Sequence, residues 1–176
     1  MAPATPVIMK HLLRAFHPFF LAVYLLLCHP AQALEPTQGP VILTLTGLLD
    51  TPNDGPRANF DVRMLEALPQ HSFITSTPWY KTPTRFTGPL LADVLRAAGA
   101  RGAHLNAVAL NGYKVRIPAS DASLGVVLAR QVDDKPLSVR DRGPLFIVYP
   151  FDSSPDLKTT THFGRSIWQL RAIEVE

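Results

Sequence analysis

Between Pro150 and Val175 the chain reads PFDSSPDLKTTTHFGRSIWQLRAIEV, which gathers Asp152, Asp156, His162, Arg165, Trp168 and several hydroxyls ahead of one short apolar run. These are recognition groups. A carboxylate accepts from adjacent donors, a guanidinium presents donors at fixed spacing, and an indole offers a flat face with one N–H. Nothing in the segment forms a nucleophilic or proton-transfer arrangement.

Other chemistries are excluded by motif. There is no GxGxxG, P-loop, GxSxG or HExxH sequence. His71, His104 and His162 lie far apart without metal-ligand spacing, so each reads as a solvated or hydrogen-bonded residue. Asp133 and Asp134 precede Lys135-Pro136, the composition of a turn rather than of a catalytic carboxylate pair.

Lys10, His11 and Arg14 stand before the apolar run Phe19–Leu27, and Ala31-Gln32-Ala33 follows. This reads as an export signal, residues 1–33, cleaved after Ala33; a retained anchor is the alternative. The apolar run is shorter than the roughly 20 residues a spanning helix needs. Residues 34–176 then form one domain in the periplasm. The single cysteine, Cys28, departs with the signal, which leaves no disulfide, thiolate nucleophile or thiolate metal ligand. Loss of Lys10 and Arg14 takes the chain from its full-length charge of +3 almost to balance, and no basic face for nucleic acid is indicated.

The elements that must position these residues are short. Val41–Gly47 reads as a strand, and Thr51–Pro56 as a turn. Asn59 is expected to cap a helix through Val62, Met64, Leu65 and Leu68, stopped by Pro69. Ser72–Thr77 reads as a strand, and residues 89–98 as a helix ending on Gly99 with Leu90, Leu91, Val94 and Leu95 on one stripe. Asn111-Gly112, with positive φ expected at both, joins strands 104–110 and 113–117 in a hairpin. Residues 126–129, 145–149 and 167–175 supply further strands. The fold class is α+β, a mixed β-sheet core with short helices.

Four phrases, FTGPLLADVLRAAGA, ALNGYKVRIPASDA, RGPLFIVYPFDSSPDL and RSIWQLRAIEV, occur in an order that resembles the molybdopterin-binding domain of the sulfite oxidase family. The chain is most similar to that family's small, exported, cysteine-less members. The resemblance covers about residues 41–175 and implies a pterin-shaped cleft. Catalytic members ligate molybdenum through a cysteine just upstream of the Trp, and here that position is Thr75 or Ser76, within FITSTPW. A hydroxyl has a far higher pKa than a thiol and lacks its softness, so redox catalysis is not expected.

The resemblance implies a free reduced pterin as ligand and regulation of a membrane-bound cyclic-di-GMP synthase or phosphodiesterase from the periplasmic side. A molybdopterin-dependent oxidoreductase subunit, with Ser76 as alkoxide ligand, is the alternative. A pterin presents an amine and a ring N–H side by side, for which Asp152 is the natural partner; capping of the turn at Ser153-Ser154 is its other reading. Trp168 is the expected stacking face, with Trp79 as the opposite wall. Arg165 and Ser166 are expected to donate to the carbonyl edge, Tyr113 to point a hydroxyl inward, and Phe163 to be a reserve stacking ring.

Overall fold

A computed structural model describes residues 34–176; the expected signal, residues 1–33 with Cys28, lies outside the described residues. Among the described residues no helix is long and apolar enough to cross a membrane.

The first sheet has the order β2-β1-β11-β5-β6, formed by Ala58–Phe60 (β2), Leu43–Gly47 (β1), Leu170–Val175 (β11), His104–Ala109 (β5) and Lys114–Pro118 (β6). β1 and β11 run parallel, with Leu45 opposite Ile173, while the other pairs are antiparallel. Alternation decides the faces: Leu43 and Leu45 are fully buried between half-buried threonines, as a strand with one core face requires.

Gln70–Thr75 (β3), Thr84–Pro89 (β4), Gln131–Val132 (β8) and Lys135–Pro136 (β9) make a second sheet in the order β3-β4-β8-β9. Val127–Ala129 (β7) pairs with Phe146–Val148 (β10), and all six residues are buried. β7 also packs tightly on β4. A Cβ placed on Gly88 would fall 2.1 Å from the Leu128 carbonyl oxygen, so only glycine allows that approach. The α+β class and the mixed sheets agree with the sequence reading.

Three short helices complete the fold of the described residues. In α1 (Val62–Ala67) the cap is Asp61 rather than Asn59; its carboxylate accepts from the main-chain N–H groups of Met64 (2.9 Å), Gln38 (2.7 Å) and Gly39 (2.9 Å). Those donors, Met64 foremost, hold the carboxyl below the usual carboxylate range. Asn59 is unavailable because it sits in β2, clasped on both main-chain groups by the Asn53 amide.

The helix expected over 89–98 is α2 (Leu91–Ala97), ending on Gly99 at φ +62, but Pro89 closes β4 and Leu90 is the cap. The hairpin over Asn111-Gly112 exists, with a different turn. Only Gly112 adopts positive φ (+82), and Gly112 N–H bonds to the Ala109 carbonyl, so the connection is a longer loop with one left-handed residue. The two-residue turn with both φ positive occurs instead at Asp133 (+47) and Asp134 (+62), between β8 and β9.

Segment 150–165 folds into two single 3-10 turns, Phe151–Ser153 and Pro155–Leu157, followed by α3 (Thr160–Arg165). Thr159 caps α3 by accepting from the His162 N–H, and at the other end the Ser166 N–H bonds back to the carbonyls of His162 and Phe163. The strand expected from Ile167 starts three residues later, at Leu170, because Gln169 takes φ +52.

Candidate ligand-binding cleft

A cleft of about 340 Å³ opens between the β5–β6 hairpin and the chain that leaves α3. Its walls include Trp79, Tyr113, Phe163, Ser166 and Trp168, five of the residues singled out from sequence, together with Asn111 and Gly164. That volume lies at the lower end of small-ligand sites.

Trp168 is the exposed face of the cleft, 38 % accessible, and its orientation is fixed from behind. Phe146 and Trp79 meet its ring edge to face, with centroids 6.0 and 5.8 Å away. Gln169, the next residue, holds a left-handed backbone that costs a residue with a Cβ about 1 kcal/mol or more. Three hydrogen bonds maintain it: Gln169 N–H to the Arg142 carbonyl (2.9 Å), Leu110 N–H to the Gln169 carbonyl (2.8 Å), and the Gln169 amide to the Val139 carbonyl (2.8 Å).

Trp79 is not the wall opposite Trp168. The two indoles touch at an interplanar angle of 70°, which leaves no parallel gap for a third ring. Trp79 instead sits at the centre of an aromatic cluster with Phe146, Phe151, Phe163 and Trp168 and buttresses the face. The cleft therefore offers a flat group one side of Trp168, with Tyr113 and Asn111 on the hairpin across the opening.

The polar groups of the cleft differ from expectation. Ser166 lines it, but its hydroxyl donates to the His162 carbonyl (3.1 Å) and so can only accept from a ligand. The carboxamide of Asn111 accepts from the Tyr113 N–H (3.0 Å), and its NH2 remains as a donor to a ligand. By residue type Asn111 reads as a turn residue only, and Gly164 carries no signal.

Four expected residues do not line the cleft. Asp152 bonds to the Ser76 N–H (2.7 Å), the Ser76 hydroxyl (3.0 Å) and Lys158 Nζ (2.7 Å), which lower its pKa, Lys158 foremost. Its own N–H donates to the hydroxyl of fully buried Thr75 (3.0 Å). Thr75, Ser76 and Asp152 thus staple the end of β3 to the turn after β10. Arg165 turns away from the opening and donates to Asp121 Oδ2 (2.9 Å). That same oxygen accepts from the hydroxyl of buried Tyr149 (2.7 Å), whose phenol is pushed above its usual range by burial and then by Asp121.

The sequence also gave no sign of Arg142. Its guanidinium lies 4.8 Å from the Tyr80 ring centre and 6.0 Å from that of Trp168.

Residues 43–152 match the oxidoreductase molybdopterin binding domain family. The chain belongs to that family. Among solved structures, the sulfane dehydrogenase SoxCD from Paracoccus pantotrophus is similar to it, with a TM-score of 0.59 and 16 % identity. The similarity covers 84 % of this chain and 41 % of the SoxCD chain, so the present chain spans less than half of that protein, and at this identity the fold is what the two share. No curated protein matches the chain. The segment of the family match supplies Trp79, Asn111 and Tyr113 to the cleft, whereas Phe163, Gly164, Ser166 and Trp168 lie beyond it.

The family implies a molybdopterin, whose two halves make different demands. Its flat ring system suits the Trp168 face and the amide and hydroxyl groups beside it. Its metal asks for a soft donor, yet residues 34–176 contain no cysteine, and the hydroxyls of Thr75 and Ser76 are both engaged with Asp152. The pterin half fits these residues; molybdenum does not.

Proposed function

We propose that this chain is a periplasmic pterin-binding protein that performs no redox chemistry and acts by regulating a membrane-bound cyclic-di-GMP synthase or phosphodiesterase. The observation that carries the ligand is the cleft itself: a half-exposed indole face held at fixed orientation, bordered by groups that donate and accept at a ring edge. Stacking on such a face contributes roughly 1–3 kcal/mol for a base-like ring. Free reduced pterin is favoured over a molybdenum-loaded one because the position matched to the family's cysteine ligand is Thr75 or Ser76, and both hydroxyls are engaged with Asp152. The proposed partner rests on the resemblance to the small cysteine-less proteins of this fold, and export on the leader-like residues 1–33.

The test is to isolate the full chain from its native compartment and measure bound pteridine and bound molybdenum in one sample. Pteridine in near-equimolar amount without molybdenum is the expected result. Molybdenum at equimolar level would instead support the second reading, an oxidoreductase subunit with an oxygen ligand, which the family match favours. Absence of pteridine, combined with no heat on titration with tetrahydropterin, would overturn the proposal.

A further inference from the structure

From Phe163 to Trp168 each residue except Arg165 borders the cleft. Arg165 alone reaches the other way, and it ends on a buried group. Its guanidinium and the Tyr149 hydroxyl both donate to one oxygen of Asp121, whose side chain is 8 % accessible; Tyr149 is fully buried at the end of β10. Asp121 itself belongs to the 3-10 turn Ala119–Leu124, after β6. The three residues thus join α3, the turn after β6 and the end of β10 through a single atom.

A helix of six residues does not hold itself in place, since nucleation is unfavourable and isolated helices are marginal below roughly 12–15 residues. A buried ion pair gains little stability over apolar packing of the same volume. Its value lies in direction, because each donor must point at the shared oxygen. We infer that Asp121, Tyr149 and Arg165 are positioning residues for the cleft: they fix the rotation of α3, and through it the presentation of Phe163, Ser166 and Trp168. This rests on the pterin-site reading only for what the wall serves.

The experiment reads wall geometry and ligand affinity separately. Trp79 and Trp168 are the two tryptophans of the chain and lie close enough for exciton coupling, so their ultraviolet circular dichroism reports their mutual orientation without any ligand. The neutral double variant Asp121→Asn with Arg165→Gln removes the charged bond, without change of shape at Asp121 and with a shorter polar side chain at Arg165. It is expected to lose most of the couplet and, because the wall is no longer held in one orientation, to weaken tetrahydropterin binding by about tenfold. Arg165→Lys, which keeps the charge at Asp121, should restore much of both. Tyr149→Phe is the milder second variant, and it too should reduce the couplet.

An unchanged couplet in both Tyr149→Phe and the double variant would overturn the inference. So would a lower melting temperature with couplet and affinity intact, the mark of a purely structural role. If the double variant does not fold, the Tyr149→Phe couplet decides. If tetrahydropterin binds none of the proteins while the couplet falls as expected, the ligand reading fails and the positioning role stands.

Discussion

Replacing Trp168 by alanine separates what the indole does for the fold from what it does for a ligand. A buried Trp contributes about 150–250 Å² of apolar contact. With 38 % of Trp168 accessible, roughly 100–150 Å² of that area is packed against Trp79 and Phe146. At about 25 cal/mol per Å² this corresponds to ~2–4 kcal/mol, which a compact unfolded chain and the retained Cβ reduce to ~2–3 kcal/mol. The variant should therefore fold with a lower melting temperature. Affinity for tetrahydropterin should fall by the stacking contribution of roughly 1–3 kcal/mol, or about 5- to 150-fold. Trp168→Phe retains a flat face and should recover most of the stability and much of the affinity. Anaerobic isothermal titration calorimetry beside thermal melts reads both quantities. A folded Trp168→Ala protein that binds tetrahydropterin as wild type does would refute the assignment of the ring site.

Gly164 offers a contrasting variant, since a Cβ there meets no atom within 4 Å while the residue borders the cleft. Gly164→Ala should raise stability by about 0.5–1 kcal/mol from helix propensity, and Gly164→Leu should obstruct the ring and lower affinity without a drop in melting temperature. Gly88→Ala should destabilise by about 3 kcal/mol, the upper part of the overpacking range, because β4 and β7 would have to part; urea titration measures it. Asp61 and Asp152 both have folded pKa values below their unfolded ones. The stability they contribute is present above the unfolded value of about 4 and is lost as pH falls through the folded values. Asp152→Asn should therefore flatten the decline in melting temperature on the acid side of pH 4, and an unchanged acid profile would remove Asp152 from that account.

Much of the fold was legible where one rule acted alone. Alternation disclosed β1, the apolar run disclosed β10, and an apolar stripe ending on Gly99 disclosed α2. Rules in competition misled. Asn59 has the chemistry of a cap, but Asn53 claims its main chain and leaves the cap to Asp61. Asn111-Gly112 has the composition of a two-residue turn, yet pairing between β5 and β6 required a longer connection, and Asp133-Asp134 took that geometry instead. The site divides in the same way. Of the residues singled out by type, Trp168, Phe163, Ser166 and Tyr113 line the cleft. For charged residues type leaves ligand and structural roles open, and the structure gives both intramolecular partners: Asp152 has Ser76 and Lys158, and Arg165 has Asp121. Direction of a side chain is a long-range property, and neither spacing nor composition encodes it.

The parallel register of β1 with β11 has a bearing on biosynthesis. β11 stands between β1 and β5, so the β2-β1 pair meets the β5-β6 pair only through it. Since β11 follows the other strands of the described residues, the emerging polypeptide cannot assemble its main sheet until residues 170–175 are available. A truncation ahead of Leu170 would therefore leave the other two sheets their strands but divide the main sheet into two unjoined pairs, β2-β1 and β5-β6.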